Sequence, residues 1–223
     1  MAKDVLTVDE NTSLMRATRI MKENSIRRLP VVSHGKLIGI ITDRDVKDAS
    51  PSKTTSLDIH ELYYLLSEMK VKDVMTPNPL TLLCDDSLEK AALIMPDSKI
   101  SGMPVVDTTG HLTGLLSETD ILRGFIHSTG VKDGAIQYVF DLPDHPGSVT
   151  GVIKILREHN TRIISVLTSF EDAEGEDEKR VSIRVIPDEE DKIDALTKVL
   201  QDTFKVVHTA KDELKDLPKR MLQ

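Results

Sequence analysis

The chain has no tryptophan, and three tyrosines and four phenylalanines are its whole aromatic complement in 223 residues. Its net charge is −8. Base stacking needs aromatic platforms and phosphate-backbone contact needs an excess of cations, so the composition argues against a nucleic-acid binder. One cysteine, Cys84, allows neither a disulfide framework nor a thiolate metal cluster and fits a reducing compartment. No apolar run approaches the roughly 20 residues that a membrane span requires, and the opening MAKDVLTVDENT is too polar for a secretory signal. The sequence therefore reads as a soluble, cytoplasmic protein with no membrane partner. Phosphate-loop, dinucleotide, zinc-protease and serine-hydrolase motifs are all missing, and the seven histidines are scattered. No catalytic residues, metal ligands or required cofactor are expected. A hydrophobic content of 39% is nevertheless enough for ordinary packed cores.

What is present is a repeat. Residues 26–46, IRRLPVVSHGKLIGIITDRDV, return at 100–122 as ISGMPVVDTTGHLTGLLSETDIL. Pro30 and Pro104, Ser13 and Ser87, and Met21 and Met95 are 74 positions apart; Gly39 and Gly114, Thr42 and Ser117, and Asp45 and Asp120 are 75 apart. The extra residue falls in the turn, where SHGK becomes DTTGH, and loops tolerate insertions. Each copy should hold a capped amphipathic helix after Ser13 or Ser87, a short apolar strand after the proline, a glycine turn, a second strand, and a helix starting at Thr42 or Ser117. Pro96 aligns with Lys22 and should end or kink its helix near Met95, because proline lacks the amide hydrogen and clashes with the preceding turn. Met1 aligns with Met75, so the first copy lacks a counterpart of the lead-in Val71–Val74; a few residues of that kind are expected before Met1 in the native chain.

The pattern G-x-x-[ST]-x-x-D occurs as GIITDRD from Gly39 and GLLSETD from Gly114, each time after a Pro-Val-Val strand. In register twice, it resembles a tandem pair of CBS motifs, a Bateman module. The expected divisions are a first motif over 1–48, a linker with a helix over 49–70, a second motif over 71–128 and a linker over 129–136. The linker helix covers 57–69, with Leu57, Leu62, Leu65, Leu66 and Met69 apolar, and Tyr63 and Tyr64 read as packing residues.

Beyond the second linker the pattern changes. Strands are expected over 137–142, 162–169, 181–186 and 205–208, and helices from Ser148, which should cap the first, and over 191–204. That order, βαββαβ, is the split ferredoxin-like arrangement. With DHPGSVTGV at the first strand–helix turn it is similar to an ACT domain, placed at 137–209, with a polar tail over 210–223. Residues 171–180, EDAEGEDEKR, read as a solvated hairpin tip. The fold class expected is mixed α/β: a CBS pair followed by a ferredoxin-like domain.

The spacings Thr42-x-x-Asp45 and Ser117-x-x-Asp120 each admit two readings. One is a capping box, in which hydroxyl and carboxylate satisfy the first-turn amides of a helix. The other is a ligand site, in which the helix start and hydroxyl meet a phosphate and the carboxylate accepts ribose hydroxyls. The CBS resemblance implies the second, with an adenine nucleotide (AMP, ADP or ATP) as ligand. It also implies that a basic residue ahead of the proline, Arg28 beside Arg27, meets phosphate, which suits the fixed donor fork of guanidinium. The aligned residues in the second copy are Ser101 and Gly102, so the two clefts should be unequal. Asp85 and Asp86 suit the dipole of the helix they precede, and Cys84 reads as an ordinary strand-end residue. In the second half, Asp144, His145, Gly147 and Ser148 form either a simple turn or a site for an amino-acid-like effector.

The order CBS, CBS, ACT resembles the bacterial AcuB family of acetoin-utilisation proteins. The resemblance implies a non-enzymatic regulator, a homodimer or higher homo-oligomer that senses nucleotide and effector and acts on an unknown target protein. The rivals are an assembly protein whose modules serve only oligomerisation, and a relative of IMP dehydrogenase, which the missing catalytic barrel disfavours.

Overall fold

The structure is a computed structural model, and it describes residues 4–50, 64, 66–131, 136–170, 173, 175, 177–189 and 192–211. The chain forms two units, Met1–Ile121 and Leu122–Gln223.

In the first unit the repeat is built element for element. Helix α1 (Leu14–Glu23), strands β1 (Arg28–Ser33) and β2 (Lys36–Thr42) and helix α2 (Asp43–Ala49) make the first copy. A short turn of 3-10 helix at Val71–Asp73 leads to β3 (Thr76–Pro77) and β4 (Leu82–Leu83). Helix α3 (Leu88–Asp97), strands β5 (Gly102–Val106) and β6 (Leu112–Ser117) and helix α4 (Glu118–Thr129) make the second copy. Ser13 and Ser87 are the N-caps of α1 and α3, accepting from the amides of Arg16 and Lys90.

Both hairpins carry the same bulge. Val31 pairs with Gly39 but Val32 with Leu37; Val105 pairs with Gly114 but Val106 with Leu112. The inserted residue therefore lies in the turn and leaves the register of the strands intact. Val8 bridges Val31 in parallel as Leu82 in β4 pairs with Val105 in β5. The buried cores repeat too: Ala17 and Ala91, Met21 and Met95, and Leu29 and Met103 are each at most 4% exposed.

Three sequence expectations change here. Helix α3 runs through Pro96 to Asp97 and matches α1 in length. The proline sits in the last turn, where the following amides still bond: Ser98 N–H to the Ile94 carbonyl at 3.0 Å and Lys99 N–H to the Pro96 carbonyl at 3.0 Å. Helix α4 continues to Thr129, so the first residue of the expected 129–136 linker is helical. Most of the expected 57–69 helix lies outside the described residues; Tyr64 and residues 66–68 are helical, and Tyr64 is 66% exposed instead of packed.

The second unit is β7 (Ile136–Pro143), α5 (Ser148–Glu158), β8 (Arg162–Ser169), β9 (Glu178–Ile186), α6 (Ile193–Thr203) and β10 (Lys205–Lys211). The sheet is antiparallel throughout, in the order β10-β7-β9-β8. Alternation along β7 buries Ile136, Tyr138, Phe140 and Leu142 in one cluster with Val152 and Leu156 of α5 and Leu196 and Leu200 of α6. Odd-numbered residues of β7 therefore face the other side. Asp141 is among them and is only 2% exposed, because Arg180 and Lys205 of the flanking strands close over it at 2.9 and 3.3 Å. The hydrogen bond from Arg180 outweighs burial and holds the Asp141 carboxyl below the usual carboxylate range. β9 begins at Glu178, so residues 178–180 belong to the sheet and not to a hairpin tip; residues 171, 172, 174 and 176 lie outside the described residues. At the other end of the chain, Thr209–Lys211 extend β10 beyond the expected strand end, and residues 212–223 lie outside the described residues.

Candidate functional site

Both T/S-x-x-D sequences fold as capping boxes. The Thr42 N–H and Oγ1–H both donate to Asp45 Oδ2, at 2.7 and 2.8 Å, and the Asp45 amide donates to Thr42 Oγ1 at 3.2 Å. Ser117 and Asp120 repeat this at 3.0, 2.7 and 3.2 Å. The next amide is taken by the other strand of the hairpin: Asp43 N–H bonds the Arg27 carbonyl at 2.9 Å, and Glu118 N–H bonds the Ser101 carbonyl at 3.3 Å. The cap reading thus holds as geometry, and it limits the ligand reading. The single hydroxyl proton of Thr42 or Ser117 is committed to its own carboxylate, so donation to a phosphate requires that proton to be redirected. What remains in the first box is the second carboxylate oxygen of Asp45, for which the described residues provide no hydrogen bond. Burial opposes ionisation of Asp120, but the Ser117 hydroxyl and amide prevail and keep its carboxyl below the ordinary value.

Each box borders its own cavity. The first, of about 900 Å³, is walled by residues 42–45 of the first copy, by Asn78–Leu80, and by residues 98–102 of the second copy. The second, of about 660 Å³, is walled by Ser117–Asp120, by Asp4–Leu6 and by Asn24–Arg28 of the first copy. Residues 78–80 lie 74 positions after 4–6, and 98–102 lie 74 after 24–28. The cavities are therefore equivalent clefts, each combining the box of one copy with the helix–strand turn of the other.

Arg27 and Arg28 line both. Arg27 is exposed. Arg28 is half-buried, and its Nη2 donates to Ser101 Oγ at 2.7 Å, across the two copies. Its other terminal nitrogen, Nη1, is buried without a hydrogen-bond partner and occupies the space that a Cβ on Gly102 would fill. Burial pulls the guanidinium below its ordinary pKa, against the opposing influence of Glu118 and Asp43. Gly102 is thus the seat of Arg28: the residue aligned with Arg28 lacks the side chain that would displace it.

The sequence did not single out the other wall residues, Arg44, Lys99 and Asn78 in the first cleft or Ser25 and Asp4 in the second. Carrying the offsets of 74 and 75 around the whole wall, beyond the repeated motif, is the signal that finds them.

In the second unit, residues 144–148 form a tight turn. Gly147, at φ +86°, is the N-cap of α5, and Ser148 is the first helical residue instead of the expected cap. Its Oγ is buried without a partner. The Asp144 amide bonds the Asp177 carbonyl at 2.8 Å and its carboxylate meets Lys179 Nζ at 3.2 Å, while His145 Nδ1 lies 3.0 Å from the Pro146 carbonyl. Cys84 is exposed beside Thr113, and Asp86 accepts from the Leu83 amide and pairs with Lys90. Among the described residues no three His, Cys, Asp or Glu side chains converge as a metal site, and no helix is long and apolar enough to cross a membrane.

The CBS domain family profile matches residues 1–52 and 71–127. A CBS domain-containing protein of Dictyostelium discoideum is 36% identical over 123 residues, which are 55% of this chain and 85% of that protein. Inosine-5′-monophosphate dehydrogenase of Korarchaeum cryptofilum is 30% identical over 185 residues, 78% of this chain but only 36% of the enzyme. Among solved structures, CBSX2 of Arabidopsis thaliana in complex with AMP shares 31% identity with a TM-score of 0.46, covering 55% of this chain and 88% of that one. The chain belongs to the CBS domain family, and its first unit is a tandem CBS pair.

Proposed function

We propose that this protein is a non-enzymatic, cytoplasmic regulator that senses an adenine nucleotide through its CBS pair, whose two clefts are adenosine sites. CBS pairs commonly bind adenine nucleotides or S-adenosylmethionine in regulatory roles. One observation carries the reading for this chain: two equivalent cavities, each with a carboxylate fixed by its capping box at the wall, share a half-buried guanidinium whose Nη1 has no partner. Asp45 and Asp120 hold ribose hydroxyls, Arg28 and Arg27 meet phosphate, and Thr42 and Ser117 position the carboxylates. The βαββαβ order of the second unit supports its reading as an ACT domain, in which Asp144, His145, Gly147 and Ser148 take an amino-acid-like effector, and that domain order, resembling the AcuB family, supports a role in acetoin utilisation. A homodimer or larger homo-oligomer is the expected state, two-fold symmetry being the commonest solution for soluble assemblies. Ligand acts by differential affinity for two arrangements of the assembly, which is what a target protein would read.

Calorimetry with AMP, ADP and ATP tests this. Asp45→Ala and Asp120→Ala should each weaken their own cleft by roughly ten- to a hundredfold, from the loss of a charge-assisted hydrogen bond of about 1.5–3 kcal/mol. The commitment of the Thr42 and Ser117 hydroxyls to their own carboxylates favours a second reading, an assembly protein with empty clefts. Absence of binding at millimolar nucleotide, together with a stable oligomer in sedimentation, would decide for that reading.

A further inference from the structure

Position for position, the two clefts differ in charge well beyond the arginine pair they share. Arg44 in the first wall corresponds to Thr119 in the second, Lys99 to Ser25, and Asn78 to Asp4. Among the described residues, five basic and four acidic side chains line the first cleft, against two basic and three acidic in the second. Arg44 and Lys99 are exposed and enter no salt bridge among the described residues, whereas Lys47 is committed to Asp43 at 2.9 Å. The backbone does not account for the difference. Lys99 and Ser25 occupy the same left-handed turn position, at φ 54° and 53°, so only the side chain has changed.

Arg28 lines both clefts, and its guanidinium lies on Gly102, which lines the first cleft and not the second. A buried donor without a partner is costly, and an anionic acceptor relieves the cost most effectively. The larger cavity is also the one with two further cations, Arg44 and Lys99, that enter no salt bridge among the described residues.

We infer that the two clefts divide their ligands by charge: the first takes an adenosine carrying phosphates, and the second takes an adenosine-type ligand without net negative charge, either a neutral nucleoside or one bearing a cation. This rests on reading the clefts as adenosine sites. It adds that they are not two copies of one sensor.

The test is calorimetry on the full chain with ATP, adenosine and inorganic tripolyphosphate, using Asp45→Ala and Asp120→Ala chains to leave one cleft at a time and circular dichroism to verify folding. ATP should bind one cleft, the one that survives Asp120→Ala, with affinity that falls as salt rises, and tripolyphosphate should compete with it there. Adenosine should still bind when Asp45 is replaced. Arg44→Thr with Lys99→Ser gives the first wall the residues of the second and should reduce its preference for ATP over adenosine by roughly tenfold, as expected for two exposed cations. The reciprocal Ser25→Lys with Thr119→Arg should create a second ATP site. ATP binding to both clefts with similar affinity, or a preference untouched by the paired substitutions, overturns the division while leaving the clefts as adenosine sites. If neither ATP nor adenosine binds, the underlying reading falls and the division with it.

Discussion

The two CBS copies agree where they are buried and disagree where they meet solvent or ligand. Leu29 and Met103 are both 0% exposed at one aligned position, and Ile41 and Leu116, at 0% and 8%, fill another. At the surface, Arg19 aligns with Leu93 and Lys47 with Leu122. Close packing fixes the volume and polarity of an interior position, so two copies under the same fold converge on equivalent side chains. An exposed position carries little such constraint and is free to take on a different task. Arg28 and Gly102 are the instructive exception: they are aligned, they differ as much as two residues can, and the difference is complementary, because the guanidinium of one occupies the space that the other leaves empty. The asymmetry of the pair is thus built across the two copies and belongs to neither alone.

If the cores are equivalent, equal damage should follow from equal truncation. Leu29→Ala and Met103→Ala should each destabilise the chain by about 2–5 kcal/mol, the usual range for emptying a fully buried aliphatic position. Urea denaturation gives both values. A difference between them of more than about 2 kcal/mol would show that the copies do not share one packing scheme.

A smaller effect should come from the seat of Arg28. A methyl at Gly102 cannot coexist with the present place of Nη1, and the Leu116 carbonyl lies only 3.1 Å from the new carbon. The tip of an arginine moves readily, and glycine to alanine at an unstrained site gains about 0.4–1 kcal/mol by restricting the unfolded chain. Gly102→Ala should therefore leave stability within about 1 kcal/mol of the parent and weaken nucleotide binding about tenfold or more, as loss of a charged hydrogen bond would. Adding Arg28→Ala to Gly102→Ala should cause little further loss. Additive losses would place the two residues in separate roles.

How much of this could be read in advance depends on the range of the interactions involved. The repeat, its strands and both capping boxes follow from hydrophobic period and from side chains three residues apart, and these are local signals. The strand and helix order of the second unit was legible for the same reason. The Arg28–Ser101 bond joins residues 73 apart, and no periodicity announces it. The unequal walls were visible as Arg-Arg against Ser-Gly, but the contributions of Arg44, Lys99 and Asp4 depend on which loops converge on each cavity. Asp141 and Arg180 show the same limit in the other unit. Alternation assigns Asp141 to the face away from the helices, but it does not reveal that a guanidinium from the charged run at 178–180 bonds it at 2.9 Å. Pro96 is a smaller difference: its helix ends at Asp97, just past the expected Met95, and the aligned helix, which has no proline, ends at the equivalent Glu23, so the proline does not set that end.

The mildest test of the comparison lies at the surface. Lys47 Nζ is 2.9 Å from Asp43 Oδ2, with the side chains 75% and 43% exposed, whereas the second copy has Glu118 and Leu122 at these places and no such pair. Lys47→Leu makes the first helix resemble the second. An exposed pair one helical turn apart contributes about 0.3–0.5 kcal/mol, so the loss at neutral pH should not exceed that. Its pH dependence has a definite sign. The hydrogen bond from Lys47 lowers the Asp43 pKa in the folded protein, against burial. A carboxyl depressed on folding contributes stability that is fully present above its unfolded value of about 4 and is lost as the pH falls through the folded value. The gap between parent and Lys47→Leu should accordingly narrow towards pH 3, and also with added salt at neutral pH. Urea curves at pH 7 and pH 3 measure it. A gap above about 1 kcal/mol, or one that persists in acid, would mean that Lys47 has a structural partner other than Asp43, and that the surfaces of the two copies are less free to diverge than their sequences imply.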